Sequence, residues 1–90
     1  GLESRGLGDV YKRQAEIELA IYPNPSTDIV KLNYSTEQID EIELYSIAGQ
    51  KLIAGNGLKT LAVSEFAKGN YIVIGRKDKQ IVSTQSLIIQ

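Results

Sequence analysis

Apolar and polar residues alternate with a period of two along most of the chain from Ala15 onward, and this alternation indicates half-buried β-strands. In the first such segment Ile17, Leu19 and Ile21 share one face, and polar or small residues occupy the other. Strand-like segments recur at the spacing of about 8 to 12 residues that is typical of a β-sandwich. The pattern predicts about seven short strands, of which the clearest are residues 17–22, 29–34, 39–47, 51–54, 71–74 and 80–90, the last as one or two segments.

Proline marks the end of the first strand. Pro23 and Pro25 have no backbone N–H and force the residue before each of them into extended geometry, so the chain must bend after Tyr22. Ser26 or Asp28 is expected to hydrogen-bond nearby backbone N–H groups as the chain turns.

Further turns are predicted along the chain. Gly49 can adopt the positive φ that a three-residue hairpin loop with a bulge requires. Residues 64–67 suit one helical turn that Ser64 caps and Phe66 anchors. The strand at 71–74 is apolar on both faces, which favours a central position in its sheet.

Composition narrows the class of protein. Ninety residues form one small domain, which buries about 60% of the surface that its unfolded chain exposes. Cysteine is absent, so the domain has neither a disulfide nor a thiolate metal site. Histidine is absent too, which removes the commonest general base and the commonest metal ligand. No cluster of residues in the sequence supports a metal, nucleotide or organic cofactor.

Charge and hydropathy exclude two kinds of interaction. Ten basic residues stand against eleven acidic ones, and no basic stripe is present that would neutralise nucleic-acid phosphates. No apolar run approaches the roughly 20 residues that span a bilayer, and the first residues lack the apolar stretch of a signal peptide. We therefore expect no nucleic-acid partner and no transmembrane segment.

Residues 1–14 differ from the rest of the chain, because no strand or helix period is sustained there long enough to place an element. We interpret them as a disordered leader. Residues 6–14 also look like a translated sequencing-adapter tail, in which case they are not native; a natural linker to an upstream domain is the alternative. The predicted folded domain is residues 15–90.

Four short motifs follow one another through the chain: Tyr-Pro-Asn-Pro, Gly-Gln, Phe followed by Gly-Asn-Tyr, and a final Leu-Ile-Ile. In that order they resemble the type A C-terminal sorting domain of the type IX secretion system of Bacteroidetes, over about residues 17–90. Residues 86–90 depart from the family, whose members usually carry Lys or Arg there. The candidate recognition residues that this resemblance implies are Tyr22, Pro23, Asn24, Pro25, Asp28, Gly49, Gln50, Phe66, Gly69, Tyr71, Leu87, Ile88 and Ile89.

The resemblance implies an all-β fold, an immunoglobulin-like sandwich of about seven short antiparallel strands. It also implies a non-catalytic tag. In members, a signal peptide takes the parent protein to the periplasm, the folded tag directs it through the outer-membrane type IX translocon, and a sortase-like protease removes the tag. The cargo is then exposed on the outer-membrane surface or released outside the cell. We add the hypothesis that the last strand docks by joining a partner's sheet.

Two other classes of function compete with this interpretation. An enzyme is disfavoured, because Ser64 and Ser83 have no His to activate them. An acid/base pair of Asp28 and Glu43 would need a cleft that so small a sandwich rarely has. The stronger alternative is an immunoglobulin-like or fibronectin-like accessory module of a surface protein, which binds a glycan or spaces domains. A sorting tag must end the polypeptide, and this chain ends within its last strand; a glycan-binding module would expose an aromatic platform, for which only Tyr45 is available.

Some side-chain environments are also predicted. Tyr22, Tyr34 and Tyr71 are expected at or near the core, with their hydroxyls at the rim. Glu41 and Glu43 are expected on a solvated strand face. The oligomeric state stays open, because an uncovered edge strand can pair with a second copy.

Overall fold

The structure of the protein is a computed structural model that describes residues 17–90. The expected leader at residues 1–14 lies outside the described residues. Residues 17–90 form seven strands and contain no helix. The strands are β1 (Leu19–Tyr22), β2 (Ile29–Tyr34), β3 (Glu41–Ser46), β4 (Lys51–Asn56), β5 (Thr60–Ala62), β6 (Gly69–Lys77) and β7 (Gln80–Ile89).

The strands form two antiparallel sheets. One sheet has three strands in the order β1-β2-β5, and the other has four strands in the order β4-β3-β6-β7. Both sheets contribute to one hydrophobic core, so the fold is a β-sandwich. This confirms the predicted all-β, immunoglobulin-like sandwich of seven strands. One detail differs from a constant-type immunoglobulin domain, since β4 pairs with β3 and not with the sheet of β1.

Alternation along the strands places the core. In β2, Val30 and Leu32 are buried, whereas Lys31 and Asn33 are exposed. Full burial of one such apolar side chain stabilises a domain by roughly 1.5–3 kcal/mol, so the core is the main favourable contribution to folding. Its members are Leu19, Val30, Leu32, Tyr34, Ile39, Ile42, Leu44, Leu61, Val63, Tyr71, Val73, Leu87 and Ile89.

The loop between β1 and β2 reaches across to the other sheet. β1 pairs with β2 in the three-stranded sheet, but Ser26 forms a parallel bridge with Ile89 in β7 of the four-stranded sheet. The Tyr22–Pro23 and Asn24–Pro25 peptide bonds between these two points are both cis. The prolines therefore stand where the chain leaves one sheet for the other, which confirms the predicted bend after Tyr22.

Glu43 in β3 is buried, so the expectation that it lies on a solvated face is wrong. Its side chain is 2% exposed, and Glu41 is half-buried. Arg76 Nε lies 2.7 Å from Oε1 of Glu43, Lys51 Nζ lies 3.2 Å from Oε2, and the Tyr45 hydroxyl donates to Oε1 at 3.2 Å. These long side chains cover the carboxylate, which an alternating pattern cannot reveal. Burial raises the pKa of Glu43, but hydrogen bonds from Arg76, Lys51 and Tyr45 together outweigh it and hold the pKa below its usual value.

The tyrosines that were expected near the core differ from one another. Tyr34 and Tyr71 are buried, and their hydroxyls donate to the main-chain carbonyls of Leu58 and Ala67. The Tyr71 bond, near the start of β6 and to a residue four positions upstream, resembles the tyrosine corner of immunoglobulin-like sandwiches. Tyr22 is 48% exposed, so its predicted position near the core is wrong. It is the last residue of an edge strand, where the sheet ends.

A turn precedes β6. The N–H of Phe66 donates to the carbonyl of Val63 at 3.1 Å, which closes a four-residue turn. One hydrogen-bonded turn therefore lies where one helical turn was predicted, but the predicted cap is wrong, because the Ser64 side chain forms no hydrogen bond with residues 17–90. Phe66 does anchor the turn: it packs against the core, with its ring centroid 6.3 Å from that of Tyr71.

Candidate functional site

The candidate recognition residues all lie at one end of the sandwich. The strand register explains this, since Ser46 at the end of β3 pairs with Tyr71 near the start of β6, and Tyr71 pairs with Leu87 near the end of β7. The bridge between Ser26 and Ile89 brings the β1–β2 loop to the same place. We call this region the motif end and define it as residues 22–29, 46–50, 66–72 and 86–90.

The Tyr-Pro-Asn-Pro motif binds the last strand directly. Asn24 Nδ2 donates to the carbonyl of Ser86 at 2.9 Å, and Asn24 Oδ1 accepts from the N–H of Ile88 at 3.0 Å. Two residues later, the N–H of Ser26 donates to the carbonyl of Ile88 at 2.9 Å, and the carbonyl of Ser26 accepts from the N–H of Gln90 at 2.8 Å. The segment from Asn24 to Ser26 thus forms four hydrogen bonds along one edge of β7.

The chemistry of the motif explains why a side chain takes part in this ladder. β7 is the last strand of its sheet, so the main-chain groups of Ile88 that face away from β6 need partners. Pro23 and Pro25 have no N–H to offer. The side-chain amide of Asn24 carries one donor and one acceptor group in the same arrangement as a peptide, and it replaces the main chain between the two prolines.

Burial follows this pairing. Ser26 is buried, and so are Leu87 and Ile89, whose side chains point into the core. Ile88 points the other way and is 42% exposed. The end of β7 therefore lies between β6 on one edge and the Asn24–Ser26 segment on the other, with one apolar side chain presented to solvent.

The β3–β4 hairpin contributes the Gly-Gln motif to the motif end. Gly49 has φ +91°, and its N–H donates to the carbonyl of Ser46 at 3.0 Å. Ser46 N–H in turn donates to the carbonyl of Gln50 at 2.9 Å, and the register shifts between Leu44 and Tyr45. These features confirm the predicted positive φ and the predicted bulge.

Asp28 and Ser26 act differently from the expectation for the turn. The exposed side chain of Asp28 forms no hydrogen bond with any residue of 17–90; its main-chain carbonyl accepts from the N–H of Val63 at 2.7 Å. The hydroxyl of Ser26 donates to the carbonyl of Ile29 at 3.4 Å and accepts from no backbone N–H within residues 17–90. The expectation is therefore wrong for the side chains, because strand-like pairing of the main chain already fixes the turn.

Gly69 and Tyr71 shape the entry to β6. Gly69 has φ +147°, a conformation that an L side chain rarely adopts. It pairs with Ile89, and Tyr71 pairs with Leu87, so this motif lies directly beside the last strand. The order of neighbours across the motif end is therefore β3, β6, β7 and the Asn24–Ser26 segment.

Exposed apolar side chains concentrate at this end. Among the described residues, six large hydrophobic side chains are exposed, and all but Ile81 belong to the motif end. These side chains are candidates for contact with a partner protein. The six are Tyr22, Ile29, Ile47, Ile72, Ile81 and Ile88.

Sequence reasoning missed the contact between Asn24 and β7. The two parts of the site are 62 to 64 residues apart, and no local pattern connects them. The available signal was chemical: between two residues that lack a main-chain N–H, the amide side chain of Asn24 supplies an additional donor and acceptor for a strand-like hydrogen-bond pair.

The comparison with known families agrees with this geometry. Residues 20–90 match the family model of the secretion system C-terminal sorting domain, which includes every candidate recognition residue. The chain belongs to this family. The domain is a C-terminal sorting signal for type IX secretion. No curated protein matches the chain.

Residues 17–90 contain no helix that is long and apolar enough to cross a membrane. Over the same residues, no group of three or more His, Cys, Asp or Glu side chains is placed to hold a metal ion.

Proposed function

We propose that this domain is a non-catalytic tag that delivers a cargo protein to the outer-membrane translocon of the type IX system through its motif end. In this proposal the tag crosses the periplasm in its folded state, and a sortase-like protease removes it afterwards. The cargo reaches the outer-membrane surface or the medium. The observation that carries the proposal is the hydrogen-bonded pairing of the Asn24–Ser26 segment with the end of β7.

The candidate residues divide into two groups with different roles in this proposal. Buried residues such as Tyr71, Leu87 and Ile89 hold the shape of the motif end. Exposed residues such as Tyr22 and Ile88 contact the partner. Because Ile88 belongs to a strand end that is paired on both sides and Tyr22 to a strand that is paired with β2, the partner meets a preorganised surface and little conformational entropy is lost on binding.

The charged residues of the domain support a non-catalytic role. The carboxylate of Glu43 is bound to Arg76, Lys51 and Tyr45, so it has no free position for a substrate. The Tyr45 hydroxyl is held in the same cluster, and Tyr45 is half-buried, which leaves it a poor platform for a glycan. Nothing in the described residues supports the accessory-module alternative.

The direct test is an export assay. The 90-residue chain is fused behind a signal peptide and a fluorescent cargo, and the fusion is produced in a bacterium with a working type IX system and in a translocon-deficient strain. Appearance of the cargo outside the first strain alone, with the domain cleaved off, is the expected result. Cargo retained in the periplasm of both strains, with the domain folded, would exclude the proposed role.

A matched pair of variants tests the role of the motif end. Asn24→Ala removes both side-chain hydrogen bonds to β7, and we expect reduced export. Asn33→Ala removes an exposed asparagine of β2 that forms no side-chain hydrogen bond with residues 17–90, and we expect normal export. Equal export of the two variants would show that the contact between Asn24 and β7 has no part in sorting.

A further inference from the structure

The outer edge of β7 is covered only in part by residues 17–90. Hydrogen bonds from Asn24 and Ser26 show that the N–H and C=O of Ile88 face away from β6. The register between β6 and β7 is continuous from Ser83 to Ile89, so alternate residues face the same way. The N–H and C=O of Thr84 and the N–H of Ser86 therefore also face outward, and no residue of 17–90 pairs with them.

Apart from a bulge at Val82, where the register with β6 shifts, this edge lacks the usual protection of edge strands. Residues 80–90 contain no charged side chain and no proline. Natural edge strands are commonly short, charged, bulged or interrupted by proline, which prevents another strand from pairing with them. β1 and β5 are four and three residues long, and the edge strand β4 begins with Lys51. β7, with ten residues, is the longest edge strand among the described strands, and its stretch from Ser83 to Ile89 has neither a bulge nor a charge.

An apolar position lies one strand behind the open edge. Ile72 of β6 pairs with Ser86, and Ile74 pairs with Thr84. The small side chains of Ser86 and Thr84 leave Ile72 39% exposed. A large apolar side chain on an added strand, placed beside Ser86, reaches across it toward Ile72, because neighbouring strands are only about 4.8 Å apart.

The Asn24–Ser26 segment demonstrates that this edge binds extended chain. It occupies the edge from Ser86 to Gln90 in parallel orientation, and the unpaired stretch begins directly upstream. An extended segment that pairs at Thr84 therefore continues a ladder that already exists. Main-chain hydrogen bonds supply affinity in this mode of recognition, and alternate side chains supply specificity.

We infer that the edge of β7 at Thr84–Ser86 receives an extended, uncharged segment of the type IX export machinery as an added strand, with a large apolar side chain directed at Ile72. This inference rests on the proposed function and names the surface through which it acts. The absence of charge on the edge matches an uncharged partner segment, and the open edge adjoins the motif end.

The test uses proline to remove one outward N–H. Thr84→Pro keeps the bonds between β6 and β7, because the N–H of residue 84 faces away from β6, and proline is tolerated on the open edge of a strand. Thr84→Ala is the matched control, since it keeps every main-chain group. Both are measured in the full-chain fusion by export, and in the isolated chain by thermal unfolding and light scattering.

The expected result is a loss of export of about tenfold or more for Thr84→Pro, normal export for Thr84→Ala, and unfolding temperatures close to wild type. If Thr84→Pro does not fold, Ser86→Lys replaces it as the test, because this variant keeps every main-chain group and places a charge beside Ile72. Loss of export of Ser86→Lys would support the inference. Export of the folded Thr84→Pro, or of Ser86→Lys, at the wild-type level would overturn the inference and leave the proposed function intact. A wild-type fusion that is not exported would contradict both the inference and the proposed function. A wild-type dimer that becomes monomeric with Thr84→Pro would show that a second copy occupies the edge, which also overturns the inference.

Discussion

At the motif end, hydrogen bonds join segments that are 62 to 64 residues apart, whereas at the opposite end the main side-chain contacts join residues 24 to 38 apart. We define the opposite end as residues 34–40, 56–59 and 75–80. Both ends contain a buried tyrosine with a bound hydroxyl and a glycine at positive φ. The difference shows that the family motifs lie where the first loop and the last strand are held together.

The opposite end is organised by polar side chains. The Tyr34 hydroxyl donates to the carbonyl of Leu58 at 2.6 Å, and Lys59 Nζ lies 3.8 Å from the centroid of the Tyr34 ring. Asp40 Oδ2 accepts from the N–H of Asp78 at 3.2 Å. These contacts hold the loops of this end against neighbouring strands. We therefore expect this end to stabilise the fold without exposing the end of β7 to a partner. Each substitution at the motif end can therefore be paired with a similar substitution at the opposite end, and the pair separates an effect on stability from an effect on sorting.

The largest expected effects come from core residues at the two ends. Leu87→Ala and Ile39→Ala each truncate a fully buried side chain, and each is expected to lower the free energy of unfolding by about 2–5 kcal/mol. Urea denaturation measures both. A negligible decrease in the free energy of unfolding for Ile39→Ala would contradict this prediction, because the opposite end would then lie outside the cooperative core.

The glycine turns are expected to show the next largest effects. Gly49→Ala and Gly57→Ala place an L side chain at φ +91° and +69°, where a Cβ meets no other atom within 4 Å, so backbone strain alone operates. Each is expected to cost about 1–2 kcal/mol, which thermal unfolding detects as a lower Tm. Only Gly49→Ala is expected to reduce export, since only that turn belongs to the motif end. If Gly57→Ala also lost export while its Tm equalled that of Gly49→Ala, the assignment of sorting to the motif end alone would be contradicted.

The two buried tyrosines offer a smaller and more selective comparison. Tyr71→Phe and Tyr34→Phe each remove a hydroxyl that donates to a main-chain carbonyl, at a cost of about 0.5–1.5 kcal/mol in unfolding free energy. Chemical denaturation gives the two costs, and the export assay compares the functions. We expect similar stabilities and reduced export for Tyr71→Phe alone; equal export would mean that the tyrosine corner only supports folding.

Acid is expected to have the smallest effect and to act on both ends equally. The pKa of Glu43 is lowered in the folded state, so its contribution to stability is complete above the unfolded pKa of about 4.3 and is lost as the pH falls through the lower folded pKa. Unfolding curves of wild type and Glu43→Gln at pH 7 and below pH 4 measure this loss. The variant should be less stable at pH 7 and should differ less from wild type in acid. An unchanged difference between the two would show that the Glu43 carboxylate does not contribute in this way.

Much of the fold was predictable because it depends on local patterns. The alternation of Val30 and Leu32 with polar residues placed β2, and the chemistry of Gly49 placed a turn with positive φ and a bulge. The prolines at 23 and 25 placed the bend after β1. In each case a short segment carries its own physical reason, so the prediction did not need the partner strand.

Other features depend on residues that are distant in sequence. Glu43 was expected in solvent, because its burial requires long side chains from two other strands. Tyr22 was expected at or near the core, because a period of two does not show where a sheet ends. Asn24 was identified as part of a motif, but its partner strand lies more than sixty residues away. Candidate residues could therefore be named from the sequence, whereas their common position at one end could not.

The most direct test of the central claim compares one exposed residue from each end. Tyr22→Ala removes an exposed side chain of the motif end, and Gln38→Ala removes an exposed side chain of the opposite end; neither forms a hydrogen bond through its side chain with residues 17–90. Export of the two fusions is measured in the type IX-competent strain, with unfolding temperature as the control. The account predicts equal stabilities, reduced export for Tyr22→Ala and normal export for Gln38→Ala. Equal export of both, or loss of export with Gln38→Ala alone, would contradict it.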